Sequence, residues 1–160
     1  MRRAGTLLFT AVALGACTLE RRLDRTTEEA PEPNTSEFLR PWGDSVPPAG
    51  VQSGDLVWIW AMSGILPAAG APRLVEGGIV PETRQALDNV VAVLTSAGAT
   101  PRDVAQCSVF LADAADLDAM NAVYREVFPA PPRRVAVAAA GLSLGARVEV
   151  ECTAVVPSTP

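Results

Sequence analysis

Two short runs of this chain offer water no polar position: Leu56-Val57-Trp58-Ile59-Trp60-Ala61-Met62 and Val135-Ala136-Val137-Ala138-Ala139-Ala140. Each is too short for an ordinary helix and apolar on both alternating faces, so each is expected to be a strand that wants cover on both sides. The rest of the chain supplies few elements to do the covering. Ala86, Leu87, Val90, Val91, Leu94 and Ala97 recur three or four apart, Pro81 suits a first helical position and Gly98 a left-handed stop, which predicts one helix with a buried face. Leu117, Met120, Val123, Tyr124 and Val127 predict a second, ended by Pro129-Ala130-Pro131-Pro132. Two helices over a small sheet shield one of its faces. The other face therefore needs another subunit, either a copy of this chain or a different partner.

A turn at Thr100-Pro101-Arg102-Asp103 leads from the first helix into a strand over 104–111, and two last strands are expected over 134–140 and 147–156. With 160 residues and 49% hydrophobic content, the chain can bury one core and has no room for a second domain. The class is α+β.

Arg134 begins the second apolar run, and Glu149 follows fifteen positions later in Arg147-Val148-Glu149-Val150-Glu151, on what read as adjacent strands. A guanidinium at the end of an apolar strand can hold a small carboxylate through two parallel charge-assisted hydrogen bonds, and a nearby glutamate can orient or deprotonate a water. The competing reading is an Arg–Glu pair across a sheet with no chemistry. Histidine is absent and all 13 basic residues are arginine, which excludes a Ser-His-Asp triad, histidine-ligated metal and a lysine Schiff base. Cys17, Cys107 and Cys152 lack any C-x-x-C spacing, which argues against a zinc or iron–sulfur site. Cys107 and Cys152 fall on apolar-facing strand positions and are expected to be buried free thiols, a disulfide being the alternative in an oxidising compartment.

At the front, Arg2-Arg3 and the apolar run from Ala4 to Leu14 have the form of a secretory signal, too short for a permanent bilayer span. Leu14-Gly15-Ala16-Cys17 has the form of a bacterial lipobox, so residues 1–16 are expected to be removed and Cys17 to carry lipid; an ordinary signal peptide cut near Ala16 is the alternative. Thr18 after the cysteine suits an outer-membrane destination where the cell has one. Residues 17–46, rich in Thr, Glu, Pro and Arg, are expected to be a tether, leaving 47–157 as the folded domain. The mature chain would carry 11 basic and 18 acidic side chains, a balance of −7 that disfavours nucleic acid as a partner.

Leu74-Val75-Glu76-Gly77-Gly78, Thr83 to Asn89, Cys107 to Asp113, Met120-Asn121-Ala122-Val123-Tyr124 and Leu142 to Glu151 resemble, in order and spacing, the Rid family, also called YjgF/UK114, over residues 54–156. The resemblance implies a homotrimer of chorismate-mutase-like α+β subunits, each a mixed sheet with two helices on one face, with ligand sites in clefts between subunits. It also implies cofactor-free hydrolysis of reactive 2-imino acids to 2-keto acids and ammonia. On this basis Arg134 is the carboxylate-binding arginine, because the spacing to Leu142 and Glu149 fits it and not Arg133. Glu149 orients water with help from the backbone carbonyl of Ala136, and Asn121 stands near the site.

Two family elements are missing from their expected places. Counting back from Gly64-Ile65-Leu66-Pro67 puts Trp60-Ala61 where a Ser-Gly pair closes the first strand, so Trp60 is expected at the substrate; a lengthened strand would instead put Ser63-Gly64 there. The Gly-Pro-Tyr aromatic is also absent, with Trp42 a candidate replacement at the wrong distance. The chain thus reads either as a lipid-anchored imine deaminase or as a non-catalytic envelope module that keeps the carboxylate clamp.

Overall fold

The computed structural model describes residues 36–68 and 70–156. The expected signal peptide, the lipidation of Cys17 and most of the expected tether lie outside these residues. The described chain runs through β1 (Ser36–Leu39), β2 (Gly50–Ser53), β3 (Leu56–Ser63), α1 (Ile79–Ser96), β4 (Val104–Leu111), α2 (Leu117–Val127), β5 (Arg133–Ala138) and β6 (Val148–Val155). The six strands form one sheet in the order β1-β2-β3-β6-β4-β5, antiparallel throughout except for the parallel pair β4–β5 at one edge.

Both helices form where the apolar spacing places them. Ala86, Leu87, Val90, Val93 and Leu94 of α1 and Met120, Val123 and Tyr124 of α2 are buried against Val57, Ile59, Val109, Val148 and Val150 of the sheet. Each large aliphatic side chain so buried is worth about 1.5–3 kcal/mol relative to exposure. Gly98, at φ +72°, lets Ala99 N–H reach back to Leu94 O at 2.8 Å, which closes α1.

β1 lies inside the segment that composition assigned to a tether. Its strand is short, but Leu39 is buried, its neighbour Phe38 lies opposite Val51, and Trp42 packs against the core, so the fold begins earlier than residue 47.

Of the two apolar strands, β3 is covered on one face only, and edge strand β5 leaves Ala136 and Ala138 exposed as well as its valines. In β3, Val57 and Ile59 are buried while Trp58 and Trp60 are 40% and 41% exposed; in β5, Val135 and Val137 stay exposed. The helix-free face is thus the face that the sequence reading gives to another subunit.

Cys107 and Cys152 form a disulfide, which corrects the expectation of free thiols. The two residues lie directly opposite each other on antiparallel neighbours β4 and β6, with Cα atoms 4.1 Å apart, so both apolar-facing positions point their sulfurs at one another.

Candidate functional site

Arg134 sits on the edge strand β5, beside buried Cys107, and strand alternation turns it toward α2. Its guanidinium lies over the Tyr124 ring, 4.4 Å from the centroid, and its Nη2 donates to Asn121 Oδ1 at 2.6 Å. Asn121 and Tyr124 are three apart on α2, so one helix face holds the cation from two sides. The Tyr124 hydroxyl is buried with no hydrogen-bond partner among the described residues, and burial pushes its pKa up to about 12 against the opposing pull of the Arg134 charge.

The carbonyl of Ala136 belongs to the same edge. Ala139 N–H donates to Leu111 O, so residues 135, 137 and 139 turn their backbone groups to β4, while Ala136 turns its carbonyl outward beyond the sheet.

Glu149 does not join them within one chain. β4 lies between β5 and β6, which corrects the reading of adjacent strands. Glu149 pairs with Phe110, which pairs with Val137, so it sits three positions along from Arg134 and on the helix-free face. There its Oε1 accepts from Ser143 N–H at 3.1 Å, in the short turn Ser143–Gly145 where Leu144 takes φ +57°.

Its cross-strand partner on β3 is Ser63. Between Ile59–Cys152 and Met62–Val150 the register slips by one residue, and the bulge at Trp60-Ala61 carries the strand on to end at Ser63-Gly64. This corrects the expectation that Trp60-Ala61 close the strand. Trp60 instead stands edge-on to Phe38, ring centroids 6.3 Å apart.

Ser63-Gly64 is built tightly into place. Asn89 on α1 donates its side-chain amide to Ser63 O at 3.0 Å and Ile65 O at 2.8 Å. A Cβ on Gly64 would come within 2.9 Å of Glu82 Cα, so the close approach of α1 demands glycine. Glu82 itself accepts from Arg147 N–H at 2.8 Å, and the Arg147 guanidinium grips Asp116 through two hydrogen bonds, fixing the entry of β6 two residues before Glu149.

Beside Ser63 opens a 370 Å³ cleft walled by Trp42, Pro48, Met62, Ile65 and Leu66 among others. Trp42 therefore lines the same cleft as Ser63, from a loop at the wrong distance along the chain. The signal was present in Arg40-Pro41-Trp42, but only the pairing of β1 with β2 brings that loop round.

The family model described as Endoribonuclease L-PSP matches residues 48–156. The chain belongs to this family, the Rid or YjgF family. Among Rid relatives, a 2-iminobutanoate/2-iminopropanoate deaminase from Capra hircus is 41% identical over 100 residues, covering 62% of this chain and 72% of that protein. Reactive Intermediate Deaminase A of Arabidopsis thaliana is 29% identical over 147 residues, covering 91% and 72%. Among solved structures, RidA from an Antarctic Psychrobacter has a TM-score of 0.66 at 25% identity, covering 74% of this chain and 98% of that one. The six-stranded mixed sheet with two helices is the Rid fold.

Proposed function

We propose that this chain is a Rid-type deaminase that hydrolyses 2-imino acids to 2-keto acids and ammonia, held in the cell envelope by lipid on Cys17. The observation that carries the reading is the Arg134 guanidinium, fixed at an open sheet edge by Asn121 and Tyr124. With Nη2 committed to Asn121, the remaining N–H groups form a fork for a substrate carboxylate.

The catalytic water comes from another copy. The resemblance implies a homotrimer with ligand clefts between subunits, and the separation of Glu149 from Arg134 within one chain supports a shared site in which one copy offers Arg134, Asn121 and the outward carbonyl of Ala136, its neighbour Ser63, Gly64 and Glu149. Glu149, held by Ser143, accepts a proton from water as the water oxygen bonds to the imine carbon and the C=N electron pair passes to nitrogen, which takes up a proton. The resulting carbinolamine collapses: its hydroxyl oxygen re-forms a C=O bond and gives its proton to solvent, replacing the one the imine nitrogen took from solvent, and the nitrogen leaves as ammonia with the proton returned by Glu149. One water is consumed and no cofactor enters.

The names of the goat, bovine and mouse relatives support this reaction class. A non-catalytic module binding small carboxylates is the second reading: the absent Gly-Pro-Tyr aromatic and the proposed envelope location support it, but the displaced Ser-Gly pair no longer does, since Ser63 lies level with Glu149. RNA cleavage, which the family description names, finds little support in a chain of 13 basic and 18 acidic residues.

Purified full-length protein should speed ammonia release from imines generated in situ by an amino acid oxidase. No acceleration, with 2-keto acid binding that depends on Arg134, would establish the binding module instead.

A further inference from the structure

We propose that the cleft beside Ser63 is a side-chain subsite, and that this chain acts on 2-imino acids with branched or aromatic side chains in preference to those with one or two side-chain carbons. The inference rests on the deaminase reading and concerns which substrates that site takes.

Position is the first argument. Ser63 both lines the cleft and pairs with Glu149 across β3 and β6, so the cleft lies at the strand position level with Glu149. On the deaminase reading, a substrate whose C2 meets the water held by Glu149 has its side chain within reach of the cleft.

The chemistry of the walls is the second. Trp42, Pro48, Met62, Ile65 and Leu66 are apolar. Of the polar lining residues, Asn89 has both amide hydrogens committed to Ser63 O and Ile65 O, and its Oδ1 accepts from Gln85. The cleft therefore gives an entering group little besides apolar contact and the Ser63 hydroxyl, which rewards carbon and penalises charge.

Size and rigidity are the third. A 370 Å³ space falls in the range of small-molecule sites and is far larger than a methyl or ethyl group requires. Its walls are tied down: Leu66 N–H donates to Arg73 O at 2.9 Å, Val75 N–H to Gly64 O at 2.9 Å and Trp60 N–H to Ala49 O at 3.0 Å. A short side chain would leave much of this surface without a partner, whereas each added methylene removes apolar area from water.

The test compares kcat/KM of the full-length protein for imines generated in situ from alanine, leucine and phenylalanine, with Leu66→Asp as the variant. The leucine or phenylalanine imine should be favoured over the alanine imine by at least about tenfold, and Leu66→Asp should reduce that ratio about tenfold or more. Turnover with a ratio near one, or favouring alanine, overturns the subsite and leaves the deaminase reading standing. If no imine is turned over, the deaminase reading fails and calorimetric binding decides: 4-methyl-2-oxopentanoate bound about tenfold tighter than pyruvate, and weakened by Leu66→Asp, upholds the subsite. Equal or absent binding overturns it.

Discussion

Arg134 is held by two different kinds of contact, and they fail differently. The Asn121 hydrogen bond sets the plane of the guanidinium, while the Tyr124 ring supports its face without using a donor. Arg134→Ala removes a contact made to substrate and transition state alike and should lower kcat/KM by about 2 kcal/mol, or roughly thirtyfold. Glu149→Gln should act mainly on kcat, because Glu149 meets the water rather than the carboxylate. Steady-state kinetics on the two variants separate these effects. Tyr124 makes a prediction of its own. Its hydroxyl ionises near pH 10 in an unfolded chain but at about 12 when buried, so the folded state holds that proton more tightly. Its contribution is present below pH 10 and is lost as pH rises from 10 through 12, a swing of about 2 to 3 kcal/mol. Denaturant melts between pH 9 and 12 should show this loss in wild type and a shallower loss in Tyr124→Phe.

At the scale of elements, the disulfide pins β4 to β6, two interior strands of the sheet. Closing a loop with a sequence separation of 45 corresponds to about 4 kcal/mol in the chain-entropy account. Reductant should therefore lower Tm by roughly 10–20 °C, and a Cys107→Ala/Cys152→Ala variant should no longer respond to reductant. A wild-type Tm indifferent to reductant would mean that the bridge does not form. The elements differ in how far they could be read from sequence. α1 and α2 were legible because a helix displays its buried face within one segment, whatever it packs against. β1 was not, since four residues are too few to show a period and only pairing with β2 makes Phe38-Leu39 a strand. The bulge at Trp60-Ala61 was hidden for another reason: a run apolar at every position has no alternation to fix its register, so the partner strand decides it. Arg134 and Glu149 stand out in the sequence by residue type and spacing, and Asn121 only through the resemblance to the Rid family. That β4 separates β5 from β6 could not be read there, because strand order is a long-range property. The Cys107–Cys152 pair was missed on the same ground.

For the whole molecule, the helix-free face and the β5 edge pose one problem. Phe38, Trp58, Trp60, Val135, Val137 and Val155 are large apolar side chains left on the surface, and β5, which carries Val135 and Val137, leaves a strand edge unpaired among the described residues. Association of copies through this region would cover them and would carry Glu149 of one chain toward Arg134 of another. The envelope assignment is tested separately: Cys17→Ala should release the protein from the membrane fraction or leave it as a precursor, and unchanged detergent partitioning would contradict lipidation. The central claim, that each site takes Arg134 from one copy and Glu149 from its neighbour, is tested most directly by co-expressing full-length Arg134→Ala and Glu149→Gln. Each alone should keep only about 3% or less of wild-type kcat/KM, and random co-assembly should restore about a quarter of it, the share of interfaces that join an intact arginine to an intact glutamate. Co-assembled oligomers no more active than the parent variants would contradict a site shared between copies.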